Sequence, residues 1–188
     1  MRLHLRKQQA EAGDIVLLYG DESEALTHPY LARVWAKAGD DLRVPAPGQA
    51  KKVAMMGSLD HVTRQLIVHT STTKRSRDFV AHLEQLDRLY GLPSGQIAKP
   101  VVLVLDNGPI HTSTLSRAAL AARAHWLRVE WLPKYAPDLN DIERVWRDLK
   151  AHHLAHQTFP DPNALNTAIH QAVDALNAER MTLPLAKP

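Results

Sequence analysis

Five consecutive apolar residues, Val101-Val-Leu-Val-Leu105, run into Asp106-Asn-Gly-Pro109, and no other stretch constrains the fold as much. A strand that is apolar at every position hides both faces, so it belongs inside a sheet with helices above and below. Gly108 and Pro109 end it, which leaves Asp106 at its carboxyl tip. A length of 188 residues with 45% hydrophobic content suits one α/β or α+β domain around such a strand.

Other segments supply the rest of that sheet. Asp14-Ile-Val-Leu-Leu-Tyr-Gly-Asp21 predicts a buried first strand that also stops at an acidic tip. Ala32 to Lys37 predicts a second short strand before the turn at Ala38-Gly-Asp-Asp41. Lys51 to Asp60 and Arg64 to Thr70 predict an antiparallel hairpin turning through Asp60-His-Val-Thr63. From Ser76 the period becomes helical, with Phe79, Leu83, Leu86 and Tyr90 on one stripe and Gly91-Leu-Pro93 as the stop. Ser113 to His125 predicts a helix capped by Ser113 or Thr114, and Leu127 to Leu132 returns to extended chain. After the loop Tyr135 to Asn140, a helix begins at Asp141 with Ile142, Val145 or Trp146, and Leu149 inward, running on toward Leu154. Asn140 or Asp141 is its expected cap. Pro160-Asp-Pro162 precedes a last helix from Asn163 to about Glu179, with Leu165, Ile169, Val173 and Leu176 inward. The order predicts an α/β protein whose mixed sheet is flanked by helices.

Composition excludes several chemistries. With no Cys there is no disulfide scaffold, thiol nucleophile or cysteine-bound metal, so carboxylate, imidazole, hydroxyl, amine or metal-bound water must carry any reaction. The opening MRLHLRKQQAEAG lacks the apolar run of a secretory signal, and no run approaches the roughly 20 residues of a bilayer span. A cytoplasmic protein with no membrane partner is expected. The net charge of +3 permits a polyanionic partner without singling one out. No P-loop, dinucleotide fingerprint or serine elbow is present. His152, His153 and His156 read as surface histidines, since neither Cys nor an HExxH pattern accompanies them.

Three acids stand where strands end or a helix begins: Asp21, Asp106 and Glu143. Asp21 and Asp106 lie 85 positions apart and Glu143 follows 37 later, room for one helix, one strand and a returning loop. Sites in open α/β sheets form at the carboxyl ends of strands, which would gather these acids. Gathered carboxylates repel one another unless a cation neutralises them, and oxygen-only ligands suit Mg²⁺ or Mn²⁺. Two such ions can activate a nucleophile and stabilise a leaving oxygen at a phosphodiester. Taken singly, each acid has a plainer role: strand-end Asp residues make turns, a first-turn Glu favours its helix, and Glu22 and Glu24 compete with Asp21.

The blocks Asp106-Asn-Gly-Pro-Ile-His111 and Leu132-Pro-Lys-Tyr-Ala-Pro-Asp-Leu-Asn-Asp-Ile-Glu-Arg-Val-Trp-Arg-Asp-Leu-Lys150 resemble the catalytic core of DDE transposases, specifically bacterial insertion-sequence enzymes related to the mariner-like group. That family carries its second aspartate in a DNxxxH block and its final glutamate in LNxIExxW after a proline-rich loop; Asp106 and Glu143 occupy those positions. Asp21, in Tyr19-Gly-Asp-Glu22, stands as the first aspartate, followed by Arg33-Val-Trp35, and Asp141 stands where the family often has proline. The resemblance implies an RNase H-like fold, two Mg²⁺ or Mn²⁺ ions as cofactors, and cleavage of transposon ends with strand transfer into target DNA. It implies Asp21, Asp106 and Glu143 as catalytic residues and metal ligands, with double-stranded DNA and a second copy of the chain as partners.

Around the acids, Asn107, His111 and Asn140 are expected to support the ligands rather than bind metal, His111 by bonding a carboxylate or a phosphate. Lys134 and Tyr135 on the loop, and Arg144, Arg147 and Lys150 at steps of three, are expected to meet DNA, as solvated surface would also explain. Lys51-Lys52 and Lys74-Arg75-Ser-Arg77 are weaker phosphate candidates. Trp146 is expected in the core. The expected organisation is a single catalytic domain over 1–188, its core about 13–157 and its last helix about 163–179. No helix-turn-helix domain is expected ahead of Asp21, so a separate DNA-binding subunit or frame product would recognise the ends. Alternatives are a truncated remnant serving only as a DNA-binding or assembly module, another RNase H-like nuclease, or, more remotely, a carboxylate-pair glycosidase.

Overall fold

A computed structural model describes residues 2–33, 35–46, 48–91, 99–133 and 136–182. At its centre lies β1 (Val16–Leu26), and five strands stand in the order β3-β2-β1-β4-β5. β2 (Lys52–Asp60) runs antiparallel to β1, and β3 (Leu66–Ser71) antiparallel to β2, forming the expected hairpin. β4 (Val101–Leu105) and β5 (Leu127–Trp131) lie parallel to β1 on its other side.

The expectation of a first strand ending at Asp21 is corrected: β1 continues five residues further, to Leu26. Parallel pairing with β4 is drawn from Val16 to Tyr19, whereas antiparallel pairing with β2 persists from Leu18 to Leu26. The β2 ladder therefore holds the polar stretch Asp21-Glu22-Ser23-Glu24 extended beyond the end of β4. The strand expected at Ala32 to Lys37 does not form over its described residues. β1 and β2 already have both edges paired, so the segment finds no ladder there and leaves Leu31 and Trp35 exposed.

Helices cover both faces, and the alternation along β4 decides which residues meet which layer. Val102 and Val104 join a cluster with Tyr19, Met55, Trp146, Leu149, Leu165 and Ile169. Val101, Leu103 and Leu105 face Leu18, Phe79, Leu83 and Leu86 on the other side. The second layer is built by α2 (Ser76–Tyr90), with α3 (Pro109–Thr112) and α4 (Thr114–Ala122) beside it. Ser113 caps α4 as expected, its side chain accepting from the Ser116 backbone at 3.1 Å. The first layer contains α5 (Ile142–Asp148), a π turn (Leu149–His153) and α6 (Pro162–Thr182). Trp146 is buried there as expected, and a Cβ added at Gly57 of β2 would lie 2.5 Å from its ring, so glycine is what lets α5 approach the sheet.

An N-terminal helix, α1 (Arg2–Glu11), has no counterpart in the expected elements. Its buried residue is Ala10, so no apolar stripe announces it; ionic contacts from Arg2 and Arg6 to Glu130 and from Lys7 to Asp141 help hold it. Among the described residues, no helix is long and apolar enough to cross a membrane.

Candidate active site

The parallel register puts Asp21 and Asp106 at the same end of the sheet. Val16 pairs with Val101 and Tyr19 with Val104, a constant offset of 85 that, carried two residues past the last parallel pair, sets Asp21 against Asp106. Asp106 follows the last residue of β4, where no strand bond remains to cover it, and its side chain is 55% exposed. Glu143 enters from the first turn of α5. Together with Asn107, Asn140 and Leu132, these acids line one cleft of about 500 Å³.

Two asparagines fix the cleft walls. Asn107 Nδ2 donates to the Leu132 carbonyl at 2.6 Å, tying the loop after β4 to the end of β5. Asn140 is 5% exposed and donates through Nδ2 to the Gly20 carbonyl at 3.2 Å, holding the entrance of α5 beside the residue that precedes Asp21. Its Oδ1 is buried and has no hydrogen-bond partner among the described residues. The expected side-chain cap of α5 is therefore corrected. Asn140 bonds β1, and Asp141 makes no cap bond. Asp141 instead meets Lys7 at 3.2 Å and lies 3.8 Å from His61. The His61 ring and the Lys7 ammonium hold the Asp141 carboxyl down at about 2, against the opposing effect of burial.

His111 lies behind Asp106 and is 1% exposed. Its Nδ1 is 2.7 Å from Asp106 Oδ1, and its Nε2 is 3.3 Å from Glu22 Oε2. Phe79 packs edge-on at 4.7 Å. Burial acts against charge on the imidazole, but the hydrogen bond to Asp106 and the charges of Glu22, Asp106 and Asp21 outweigh it, so the His111 pKa rises. The same hydrogen bond lowers the pKa of Asp106, helped by the Gly108 amide donating at 3.0 Å.

Asp21 behaves oppositely. Burial, followed by the charges of Glu143, Glu22 and Asp106, pushes its carboxyl up to about 7. The acids thus repel one another across the cleft, and their oxygen-only donor set suits a hard divalent cation. Among the described residues, no three Asp, Glu or His side chains are drawn close enough together to hold an ion between them.

Of the expected residues, Asp21, Asp106, Glu143, Asn107 and Asn140 share the cleft, and His111 supports it from behind. Arg144 and Arg147 are exposed on α5, whereas Lys150 is half-buried and feels Glu24, Glu143 and Asp21. Lys134 and Tyr135 lie outside the described residues. Glu22, read from sequence as a competing ligand, faces His111. The pairing of Lys7 and His61 with Asp141 had no signal in the sequence, because the three residues belong to distant segments.

Residues 16–166 match the family described as DDE superfamily endonuclease. The "Insertion element IS630 uncharacterized 39 kDa protein" of Shigella sonnei is 30% identical over 133 residues, covering 71% of this chain and 37% of that protein. The chain thus spans little more than a third of that relative's length. Among solved structures, a Mos1 mariner paired-end complex with Mn aligns with TM-score 0.59 and 16% identity, over 95% of this chain and 58% of that one. The catalytic core domain of BIV integrase aligns with TM-score 0.56 and 17% identity, over 89% and 86%. At such identities the structural likeness speaks to fold, and the fold it shares with these proteins is the RNase H-like α/β arrangement of a mixed sheet flanked by helices. With the family match spanning most of the sequence, the chain belongs to the DDE superfamily endonucleases, and its likeness runs to the insertion-element and mariner-type members.

Proposed function

We propose that the chain is the catalytic domain of a DNA transposase, one functional unit over residues 1–188. It cleaves phosphodiesters at transposon ends and joins the freed 3′-hydroxyls to target DNA. One observation supports this reading: Asp21, Asp106 and Glu143 line one cleft past the carboxyl end of β4. Asp21, Asp106 and Glu143 would hold one or two Mg²⁺ or Mn²⁺ ions. When bound, such ions polarise the phosphodiester and lower the pKa of the attacking water or 3′-hydroxyl.

The chain's own residues then have separate tasks. His111 and the Gly108 amide occupy Oδ1 of Asp106, which fixes the carboxylate's orientation and leaves Oδ2 for ligation. Glu22 steadies the far side of the imidazole. Asn140 keeps the α5 entrance on β1, so Glu143 reaches the cleft from a braced helix end, and its Oδ1 offers an acceptor for a water or hydroxyl proton. Arg144, Arg147 and Lys150, with Lys134 and Tyr135 on the preceding loop, serve the DNA backbone. The mariner relative is described as a paired-end complex, and a homodimer of this chain on two DNA ends belongs to the same proposal.

The test is Mg²⁺-dependent cleavage of element-end duplex DNA by the purified chain. Asp106→Ala should abolish cleavage while leaving circular dichroism and Tm near those of the parent. Cleavage surviving in that variant refutes the assignment, and a parent chain that binds but never cuts favours a non-catalytic assembly module.

A further inference from the structure

We propose that Glu24, three residues along β1 from Asp21, occupies the position of a DNA phosphate, holding Lys52 and Lys74 until a nucleic-acid backbone displaces it. The inference rests on the DNA-processing role proposed above and adds an internal competitor for the substrate. Lys52 Nζ lies 3.2 Å, and Lys74 Nζ 3.6 Å, from the same oxygen, Oε2 of Glu24. Lys150 sits on the π turn that continues α5, within electrostatic reach of Glu24, Glu143 and Asp21. Two ammonium groups therefore meet on one carboxylate oxygen, with a third within electrostatic reach of it. They come from separate places: the start of β2, the loop between β3 and α2, and the turn after α5. Sequence adjacency does not account for their meeting.

The position of Glu24 follows from the extra length of β1. Because β1 stays paired to β2 beyond Asp21, Glu24 is held on a rigid ladder three residues past that acid, opposite Ala54. Glu24 and Lys74 are each 36% exposed at the side chain and Lys52 is 56% exposed, so the pairs are open to exchange. Exposed ion pairs add little to stability, and a phosphodiester brings the same single charge with two free oxygens to share among the lysines.

Binding of a labelled random-sequence duplex is measured by fluorescence anisotropy in EDTA across a salt series, which separates phosphate contacts from catalysis. Glu24→Gln should tighten binding by about 3- to 10-fold. That gain should exceed the gain from Asp174→Asn, the same charge change at an exposed position on α6. Lys74→Ala and Lys52→Ala should each reduce the slope of log K against log salt by about 1. In the Glu24→Gln, Lys74→Ala double variant most of the gain should disappear. A Glu24→Gln effect no larger than the Asp174→Asn effect, or unchanged salt slopes, overturns the proposal while leaving the proposed function intact. A parent chain with no affinity for duplex DNA overturns both.

Discussion

Replacing Asp21 by Asn should stabilise the metal-free protein, and the size of the effect follows from the electrostatics of the cleft. Burial and the charges of Glu143, Glu22 and Asp106 raise the Asp21 pKa from an ordinary 3.8 to about 7. The folded state therefore holds this proton more tightly than the unfolded chain. Stability from the neutral carboxyl is fully present below about 3.8 and is lost as pH rises through about 7. At about 1.36 kcal/mol per unit, the shift sets an upper bound of ~4 kcal/mol on the penalty at pH 8. Side-chain relaxation and water entry reduce this to an expected ~1–3 kcal/mol, or ~2–12 °C in Tm for a chain of this length. Thermal unfolding in EDTA at several pH values reads it directly. The Tm of Asp21→Asn should exceed that of the parent at pH 8 and the two should converge toward pH 4. Millimolar Mn²⁺ should raise the parent's Tm at pH 8 far more than the variant's. An Asp21→Asn protein less stable than the parent at pH 8, or a difference indifferent to pH, refutes the claim of mutual repulsion.

Three further outcomes test other parts of the architecture. His111→Ala removes the hydrogen bond that orients Asp106, and cleavage should fall by about 10- to 100-fold, with a higher Mn²⁺ concentration needed for half-maximal rate. Gly57→Ala drives a methyl group into the Trp146 ring and should cost about 1–3 kcal/mol in denaturant unfolding. Asp141 is held at about 2 by His61 and Lys7, so its contribution is present above 3.8 and lost as pH falls toward 2. Asp141→Asn should therefore cost about 1–2 kcal/mol at pH 7 and nothing measurable near pH 2, read as Tm against pH.

How far the sequence could be read depended on whether an element announces itself locally. The run Val101 to Leu105 carries its own evidence, because a strand buried on both faces must be apolar throughout, and β4 has those bounds. The stripe of Phe79, Leu83 and Leu86 and that of Ile142, Val145, Trp146 and Leu149 likewise specify helices that bury those residues. The far half of β1 was illegible for the opposite reason. Asp21-Glu22-Ser23-Glu24 is polar, and only its pairing with β2 makes it strand. Ala32 to Lys37 looked like strand from composition, but the sheet offers it no partner in the middle. α1 escaped notice because charge pairing with Glu130 and Asp141 helps hold it, with little apolar burial.

The site divides along the same line. Asp106 and Glu143 were marked by local motifs, and Asn107 and His111 by their nearness to Asp106. That Glu22 faces His111, and that Asn140 bonds Gly20 in place of capping α5, are consequences of tertiary packing between segments far apart in the chain.

The central claim is that Asp21, Asp106 and Glu143 together hold the ions. Anomalous diffraction from crystals of the protein soaked in Mn²⁺ tests it most directly. The account predicts one or two manganese peaks bounded by oxygens of all three carboxylates, with His111 still bonded to Asp106. Manganese bound elsewhere at saturating concentration, with the three carboxylates still apart, would contradict it.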